Sequence, residues 1–465
     1  MGDFEELRYP FDTLLDFVQG GYFAERAGLH LTIALVVFLL LSAHVMFGRG
    51  TLVQRLITIF FAGSVYNNPV FALPGGLHFN ELAGVVAALW IVVLMLGGLR
   101  LDVRRVGIPL LLGGLIMLAH AAFVSVWDAA LIPDNATAVL RGVLLARIFV
   151  LGIIILGIEA LYKTEEDFES LMQAMVRFGV AAILIYFIQV GVFLSGTRPY
   201  GTYWDAGFTG IPSFGAVSIE RGHFGKFLIV LFPVFAWAAA KRRQWLPMLL
   251  FFLVTLVNFS ASSMSFLAGY LAITALLLNR RMIRPSALKW LIPAAVTVLI
   301  LASRFGPQYG ALLQKIVDLG VRGDEGGGRG LSVLGAYLSA HPLGLGYSGS
   351  TLRNVGTLPQ INMGAYAMAS QLSFLLIPIF AGFLWLNYRV ARRSTLIGDR
   401  VVIGLLVGGM LMAVVIDLID VLWFVPTLWA PMILCDGLSH VRGHREVVVR
   451  PDTLDVAWHS PSTVS

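Results

Sequence analysis

An arginine that follows a run of glycines is the most distinctive chemical feature of this sequence. The stretch RGDEGGGRGLSVLGAYLSAHPLGLGYSG begins at Arg322, and within it Arg329 follows Gly326–Gly328 and opens a short helical pattern. Successive backbone amides and helix N-termini attract anions, and a planar guanidinium grips phosphate or pyrophosphate oxygens in pairs. We therefore interpret Arg329 as a candidate anion ligand. The alternative is a glycine turn that only connects two helices.

Other site chemistries find little support in the residue patterns. GGGRG lacks the Gly-Lys-Ser/Thr end of a phosphate loop, and GLGYSG follows no strand, so neither is a nucleotide fingerprint. His223 and His341 lie in separate loops without metal-ligand spacing, and no DxD pair occurs among the carboxylates of those loops. We predict no metal site and no cofactor. The serines of NFSASSMSFLAGY fit close helix packing better than a hydrolase nucleophile.

The composition is that of a membrane protein. Of 465 residues, 58% are hydrophobic and 13% are charged, whereas soluble domains carry about a quarter charged residues. The net charge of +6 comes from short basic joints between apolar runs, which argues against nucleic-acid binding. We predict an all-α, polytopic bundle of about 12 or 13 helices, because runs of this length cross roughly 30 Å of hydrocarbon. The predicted spans are 29–47, 51–71, 80–99, 107–127, 139–161, 171–195, 223–240, 246–259, 262–279, 289–305, 370–390, 401–416 and 423–438.

The basic joints also predict an orientation. The joints are spaced along the predicted spans so that all of them can face the cytoplasm. They are RLDVRR, KRRQW, NRRMIRPSALK, ARRSTLIGDR and HVRGHREVVVR. The loops 196–222 and 306–369 then lie outside, within a single membrane domain spanning 1–440 that is followed by a cytoplasmic tail, 441–465. The longer loop contains an amphipathic helical pattern over Tyr309–Leu319, which predicts an ordered, partly helical lid. The side on which the N-terminus lies is left open.

Basic side chains on the outer side are informative because the positive-inside rule disfavours them there. They are Arg198, Arg221, Lys226, Arg304, Arg322, Arg329 and Arg353, and Arg141 and Arg147 join them from the outer part of the fifth predicted span. As a set they favour an anion-binding funnel that opens outward. Alternatively, each one contacts lipid headgroups or pairs with a carboxylate such as Glu159 or Asp205.

Three segments of the chain carry a resemblance to a known family. They are FSASSMSFLAGYLAI, the loop motif RPYGTYW…IERGHFGKFL, and the helix after Arg329 with the following HPLGLGYSG. Together they resemble the bacterial O-antigen polymerase and ligase family. The resemblance covers residues 80–440. The chain has Ser262–Ser265 where the family often carries Ser-Arg-Gly, and INMGAYAMASQ presents Tyr366 where ligase-like members usually carry a histidine. The missing histidine favours a polymerase over a ligase.

The resemblance implies a C-type membrane glycosyltransferase in the bacterial inner membrane. Such an enzyme takes glycan from undecaprenyl pyrophosphate on the periplasmic side and uses neither a nucleotide sugar nor a metal. Arg329 would face the pyrophosphate, and the expected substrate-binding set is Arg198, Arg221, Arg329, Arg147, Arg141, Lys226, His223 and Tyr366. A chain-length regulator and a flippase of the same pathway are the implied protein partners.

A general base would assist the acceptor hydroxyl. Glu220 and His341 are the external candidates. The alternatives are an ion pair of Glu220 with Arg221 or Lys226, and a helix-ending His-Pro turn at His341. Two other functions stay open: an O-antigen ligase that joins polymer to lipid A core, and a transporter or lipid flippase, which would be built from inverted repeats.

Overall fold

A computed structural model describes residues 29–71, 73, 77–100, 135–195, 214–218 and 221–258, with isolated positions in 306–314 and 434–441. Seven α-helices make up most of these residues, and no strand occurs among them. They are α1 (Leu29–Met46), α2 (Leu52–Ala62), α3 (Phe79–Leu96), α4 (Asn135–Leu161), α5 (Glu165–Leu194), α6 (Arg221–Arg242) and α7 (Leu246–Val257). The predicted all-α class is confirmed for this part of the chain.

Three of the described helices are long and apolar enough to cross a membrane: Leu29–Met46, Phe79–Leu96 and the Glu165–Val192 part of α5. They indicate a membrane protein. The predicted spans 107–127, 262–279, 289–305, 370–390 and 401–416 lie outside the described residues. The full count of about 12 or 13 spans therefore stays a prediction.

The predicted span 51–71 is wrong as a continuous helix. α2 ends at Ala62, a 3-10 turn follows at Gly63–Val65, and a second one forms at Pro69–Phe71. Proline cannot donate a backbone hydrogen bond, and asparagine side chains compete for backbone groups. The Asn67-Asn68-Pro69 sequence therefore ends the helix although the surrounding residues are apolar.

Aromatic side chains fill the centre of the described bundle. The ring of Phe38 from α1 lies 5.3 Å from Tyr66 and 5.8 Å from Phe178 of α5. Small residues let helices approach: a Cβ on Gly84 would meet the Phe60 ring at 2.4 Å, and one on Gly157 would meet Ile91 at 2.4 Å. α2, α3, α4 and α5 are thus packed closely around one apolar core.

Three short joints between helices meet at one end of the bundle, which we call the basic end: 47–51, 162–164 and 243–245. Gln54 Nε2 donates to Asp167 Oδ1 at 3.2 Å and to the Leu161 carbonyl oxygen at 3.0 Å, which ties α2 to the α4–α5 joint. Arg242 at the end of α6 pairs with Glu169 of α5. Tyr162 is buried in this joint, and burial raises the pKa of its hydroxyl. The neutral hydroxyl donates to the Gln54 carbonyl oxygen at 3.2 Å.

A few isolated positions extend the fold toward the C-terminus. Leu434 is buried in the same core, and a Cβ on Gly437 would meet the Phe168 ring at 2.2 Å. Val441, where the predicted tail begins, is helical and packs against the core. Gly310 and Gln314 are helical, within the helix predicted over Tyr309–Leu319. Gly306 and Pro307 are helical as well, and the remaining residues of the loop 306–369 lie outside the described residues.

The predicted orientation has a direct test at Gly327, which lies in the longer of the two loops predicted to be external. The chain has one cysteine, so Gly327→Cys in a Cys435→Ser background gives a single thiol. We expect a membrane-impermeant maleimide to label it in intact spheroplasts, because only an external loop leaves all the basic joints inside. Labelling that requires lysis would reverse the orientation.

Candidate functional site

Polar groups collect at the end of the bundle opposite the basic end. They come from the start of α1, the turn after α2, the start of α3, the N-terminal half of α4, the end of α5 and the segment before α6. We call this set the polar layer; its members are His30, Asn67, Asn68, His78, Glu81, Arg147, Gln189 and Phe214–Ser218. Polar groups inside a membrane protein are costly and usually face partners or a substrate path. The layer is therefore the candidate site of the described region.

An ion pair joins α3 to α4 within the polar layer. Arg147 Nη2 donates to Glu81 Oε2 at 3.0 Å, and Arg147 Nε lies 2.6 Å from Glu81 Oε1. The Nε contact lacks hydrogen-bond geometry, so within the described residues the buried Nε has no hydrogen-bond partner. Both side chains are mostly buried, with 21% and 15% of their surface exposed. The pair therefore holds two charges in a partly dry environment, where attraction between them is stronger than in water.

Glu81 also organises the start of α3. Its Oε2 accepts from the His78 backbone N–H at 2.9 Å and lies 3.4 Å from His78 Nδ1. A carboxylate in the first helical turn satisfies an otherwise orphaned amide and complements the helix dipole. The other ring nitrogen of His78 lies 3.2 Å from the Asn67 carbonyl oxygen. Glu81 thus connects the turn after α2, the start of α3 and the middle of α4.

The turn after α2 holds the non-helical segment that precedes α6. The Asn68 backbone N–H donates to the Val217 carbonyl oxygen at 2.9 Å, and Asn68 Nδ2 donates to the Ser218 carbonyl oxygen at 3.4 Å. Asn68 Oδ1 accepts from the Val70 backbone N–H at 3.2 Å. The side chain of Asn68 is 1% exposed, so these contacts replace water that it has lost.

α5 contacts the same segment through Gln189, which is fully buried. Gln189 Oε1 accepts from the Ala216 backbone N–H at 2.8 Å, and this bond fixes the orientation of the amide. Its Nε2 then donates to His30 Nε2, 3.2 Å away, so that ring nitrogen carries no proton. One amide therefore links α1, α5 and the segment before α6.

The predicted site residues fall partly within the described region. Arg141 and Arg147 lie on α4, and Arg221, His223 and Lys226 lie in the first six residues of α6. Among these five, the structure describes the side chain of Arg147. Arg147 pairs with a carboxylate, the alternative considered for each arginine predicted to be external, and the described partner is Glu81. Outside the described residues lie Arg198, Glu220, Arg329, His341 and Tyr366.

Several members of the polar layer were missed in the sequence. Sequence reasoning treated His30 and Gln189 as parts of apolar runs, and Glu81 as the edge of a span. A signal was available: a histidine, a glutamine or a carboxylate within a hydrophobic run usually has a polar partner. The identity of each partner depends on how the helices pack against one another. The spacing of residues within one helix does not encode that packing.

In the part of the chain that the structure describes, no three histidine, cysteine, aspartate or glutamate side chains cluster as metal ligands would. No protein-family model matches the chain, and neither a curated protein nor a solved structure shows significant similarity to it. Asn68 and Gln189 are buried and already bonded to protein groups, so they position the segment before α6, whereas His78, Glu81 and Arg147 are partly exposed. Arg147 places a cation in contact with the start of α3.

Proposed function

We propose that this protein is a polysaccharide polymerase of the bacterial inner membrane. It transfers a growing glycan from one undecaprenyl-pyrophosphate carrier to the terminal hydroxyl of another lipid-linked repeat unit at the periplasmic face. The observation that carries the proposal is the polar layer at one end of an apolar bundle. α6 begins beside that layer, three residues after Ser218, and its first six residues include Arg221, His223 and Lys226.

The polar layer supports the proposal through its position. A lipid-linked sugar keeps its acyl chain in the bilayer and presents its pyrophosphate and glycan at the membrane surface. Binding of that headgroup needs cations and neutral hydrogen-bonding groups at one end of a helix bundle, beside lipid-facing apolar surface. α1 and α3 carry such surface: Leu39 and Leu40 are 51% and 65% exposed, and Leu89 is 62% exposed. The combination suits an amphipathic substrate with one end in each environment.

The reaction forms one glycosidic bond and breaks one bond to phosphate. The acceptor hydroxyl oxygen attacks the anomeric carbon of the donor, its proton passes to a general base, and undecaprenyl pyrophosphate leaves with the bonding electrons. Glu220 and His341 are the proposed bases. Negative charge grows on the leaving oxygen, so arginines held in a partly dry site stabilise the transition state. Arg329, Arg198 and Arg221 are the proposed ligands of that charge.

The choice of substrates separates the polymerase from its alternatives. Purified protein given only lipid-linked repeat units should make a ladder of longer glycans. An O-antigen ligase would need a lipid A core acceptor and would make no ladder, whereas a transporter or flippase would move lipid without any covalent product. A single product of one repeat unit joined to lipid A core, formed only when that core is added and with no ladder, would overturn the polymerase proposal in favour of the ligase.

Polymerisation should survive chelation of divalent cations. The external carboxylates and histidines lack metal-ligand spacing, and guanidinium groups can neutralise the pyrophosphate instead. We expect ladder formation in EDTA to match that in buffer within experimental error. Loss of the ladder in EDTA, with recovery on addition of magnesium or manganese, would show that the site depends on a metal.

A further inference from the structure

The segment Phe214–Ser218 is an irregular piece of backbone buried inside the helix bundle. Two residues form hydrogen bonds with its backbone groups. The Ala216 N–H donates to Gln189 of α5, and Asn68 donates to the carbonyl oxygens of Val217 and Ser218. Buried non-helical backbone is tolerated only where such partners replace water. Among the described residues, Gln189 and Asn68 therefore hold the segment in place.

The backbone at Ala216 adds a reason for these contacts. Its φ of 51° lies in the left-handed region, which residues with a Cβ rarely adopt. A strained residue of this kind persists only where its surroundings enforce it. The hydrogen bond from Ala216 N–H to Gln189 Oε1 is 2.8 Å long and buried, so it acts directly on the strained residue, while Ser218 N–H closes the turn on the Gly215 carbonyl oxygen at 2.7 Å.

We propose that Gln189 and Asn68 are positioning residues that fix the end of the external loop 196–222 and thereby the first turn of α6. α6 starts at Arg221, three residues after Ser218, so movement of the segment moves the start of the helix. The placement of the segment rests on the contacts above. Its consequence for the reaction rests on the proposed function, because Arg221, His223 and Lys226 contribute only if the site binds lipid-linked glycan.

A single buried thiol can report whether the segment is held. Ser218 is fully buried, and within the described residues its Oγ has no hydrogen-bond partner, so Ser218→Cys should be tolerated. In a Cys435→Ser background this thiol should react slowly with a membrane-impermeant maleimide. Gln189→Met keeps the length of the side chain but removes both hydrogen bonds. We expect it to raise the labelling rate about tenfold or more, since a buried amide N–H is left without a partner.

Gln173 provides a matched control on the same helix. It lies 16 residues before Gln189, about 24 Å along α5, and its buried Nε2 has no partner among the described residues. Gln173→Met should leave the labelling of Cys at position 218 unchanged. Ala216→Gly should partly restore slow labelling to Gln189→Met, because glycine adopts a positive φ without strain.

The second measurement is the rate of ladder formation. Gln189→Met should raise the apparent KM for lipid-linked repeat units and lower kcat, and Ala216→Gly should rescue part of both. A melting temperature of Gln189→Met equal to the parent's would separate this effect from global unfolding. Fast labelling in the parent, an unchanged rate in Gln189→Met, or equal increases in Gln189→Met and Gln173→Met would each overturn the proposed anchoring. Faster labelling with an unchanged ladder would overturn the positioning role. A parent protein that makes no ladder would refute the proposed function, while the labelling rates would still decide the anchoring.

Discussion

Replacement of Arg329 by alanine should lower the rate of glycan polymerisation by about 10²–10³, the usual effect of losing one transition-state contact to a developing negative charge. Arg329 follows three glycines and opens a short helical pattern in the longest predicted external loop. Arg329→Lys should recover only part of the rate, because an ammonium group supplies charge without the planar pair of donors. The rate is measured from polymer ladders made by purified variants.

Arg353 is the matched control for this experiment. It lies in the same predicted loop but outside the glycine-rich stretch and the resemblance motifs, and we expect it to contact lipid headgroups. Arg353→Ala should therefore make near-normal ladders, whereas Arg198→Ala and Arg221→Ala should resemble Arg329→Ala. Near-normal ladders from a well-folded Arg329→Ala protein would exclude Arg329 as a pyrophosphate ligand. The site would then be sought among Arg141, Arg147 and Lys226.

Glu81→Ala should destabilise the protein by about 2 kcal/mol, between the small effect of breaking an exposed ion pair and the large effect of breaking a fully buried one. The variant leaves the Arg147 guanidinium mostly buried without its carboxylate, and removes the acceptor for the His78 backbone N–H. Thermal unfolding in detergent micelles should show a lower melting temperature. A melting temperature equal to the parent's would mean that Arg147 finds another partner at no cost.

The double variant Glu81→Leu with Arg147→Met separates structure from binding at this ion pair. Replacement of a buried pair by apolar residues of similar size is often neutral. We therefore expect a melting temperature above that of Glu81→Ala, and below the parent's only by the cost of losing the acceptor for the His78 backbone N–H. If Arg147 serves only to pair with Glu81, this stable double variant should still make ladders. If Arg147 binds pyrophosphate as well, the double variant should make no ladder although its fold is intact. Either result decides whether Arg147 belongs to the substrate-binding set.

Hydropathy located most of the described helices. Apolar runs at 29–47, 80–99 and 223–240 correspond to α1, α3 and α6, because a helix that crosses a membrane must be apolar over its length. The same criterion extended the second span too far, to residue 71. The run remains apolar up to Asn67, and the helix ends because of local competition from Asn67, Asn68 and Pro69. That break places Asn68 against Phe214–Ser218.

The polar layer could be predicted only in part. The sequence indicated Arg147 and Arg221 as candidates, because positive charge is uncommon on the predicted outer side of a membrane protein. Gln189 and His30 lie 159 positions apart in the chain, and their contact follows from the packing of α5 on α1. Likewise, the pairing of Arg147 with Glu81 depends on how α3 and α4 cross. Long-range pairs such as these are set by tertiary structure, and no local spacing reveals them.

The central claim is that glycan is transferred from a pyrophosphate carrier, and the most direct test is the stoichiometry of the products. Purified protein in bilayer nanodiscs is given undecaprenyl-pyrophosphate-linked repeat units, and both the glycosidic bonds formed and the free undecaprenyl pyrophosphate released are counted over time. We predict one released carrier for each new bond, in EDTA as well as in buffer, and a rate of both products lowered by about 10²–10³ in the Arg329→Ala variant. Release of carrier without chain growth, or movement of lipid-linked units across the bilayer with no new bond, would contradict the assignment.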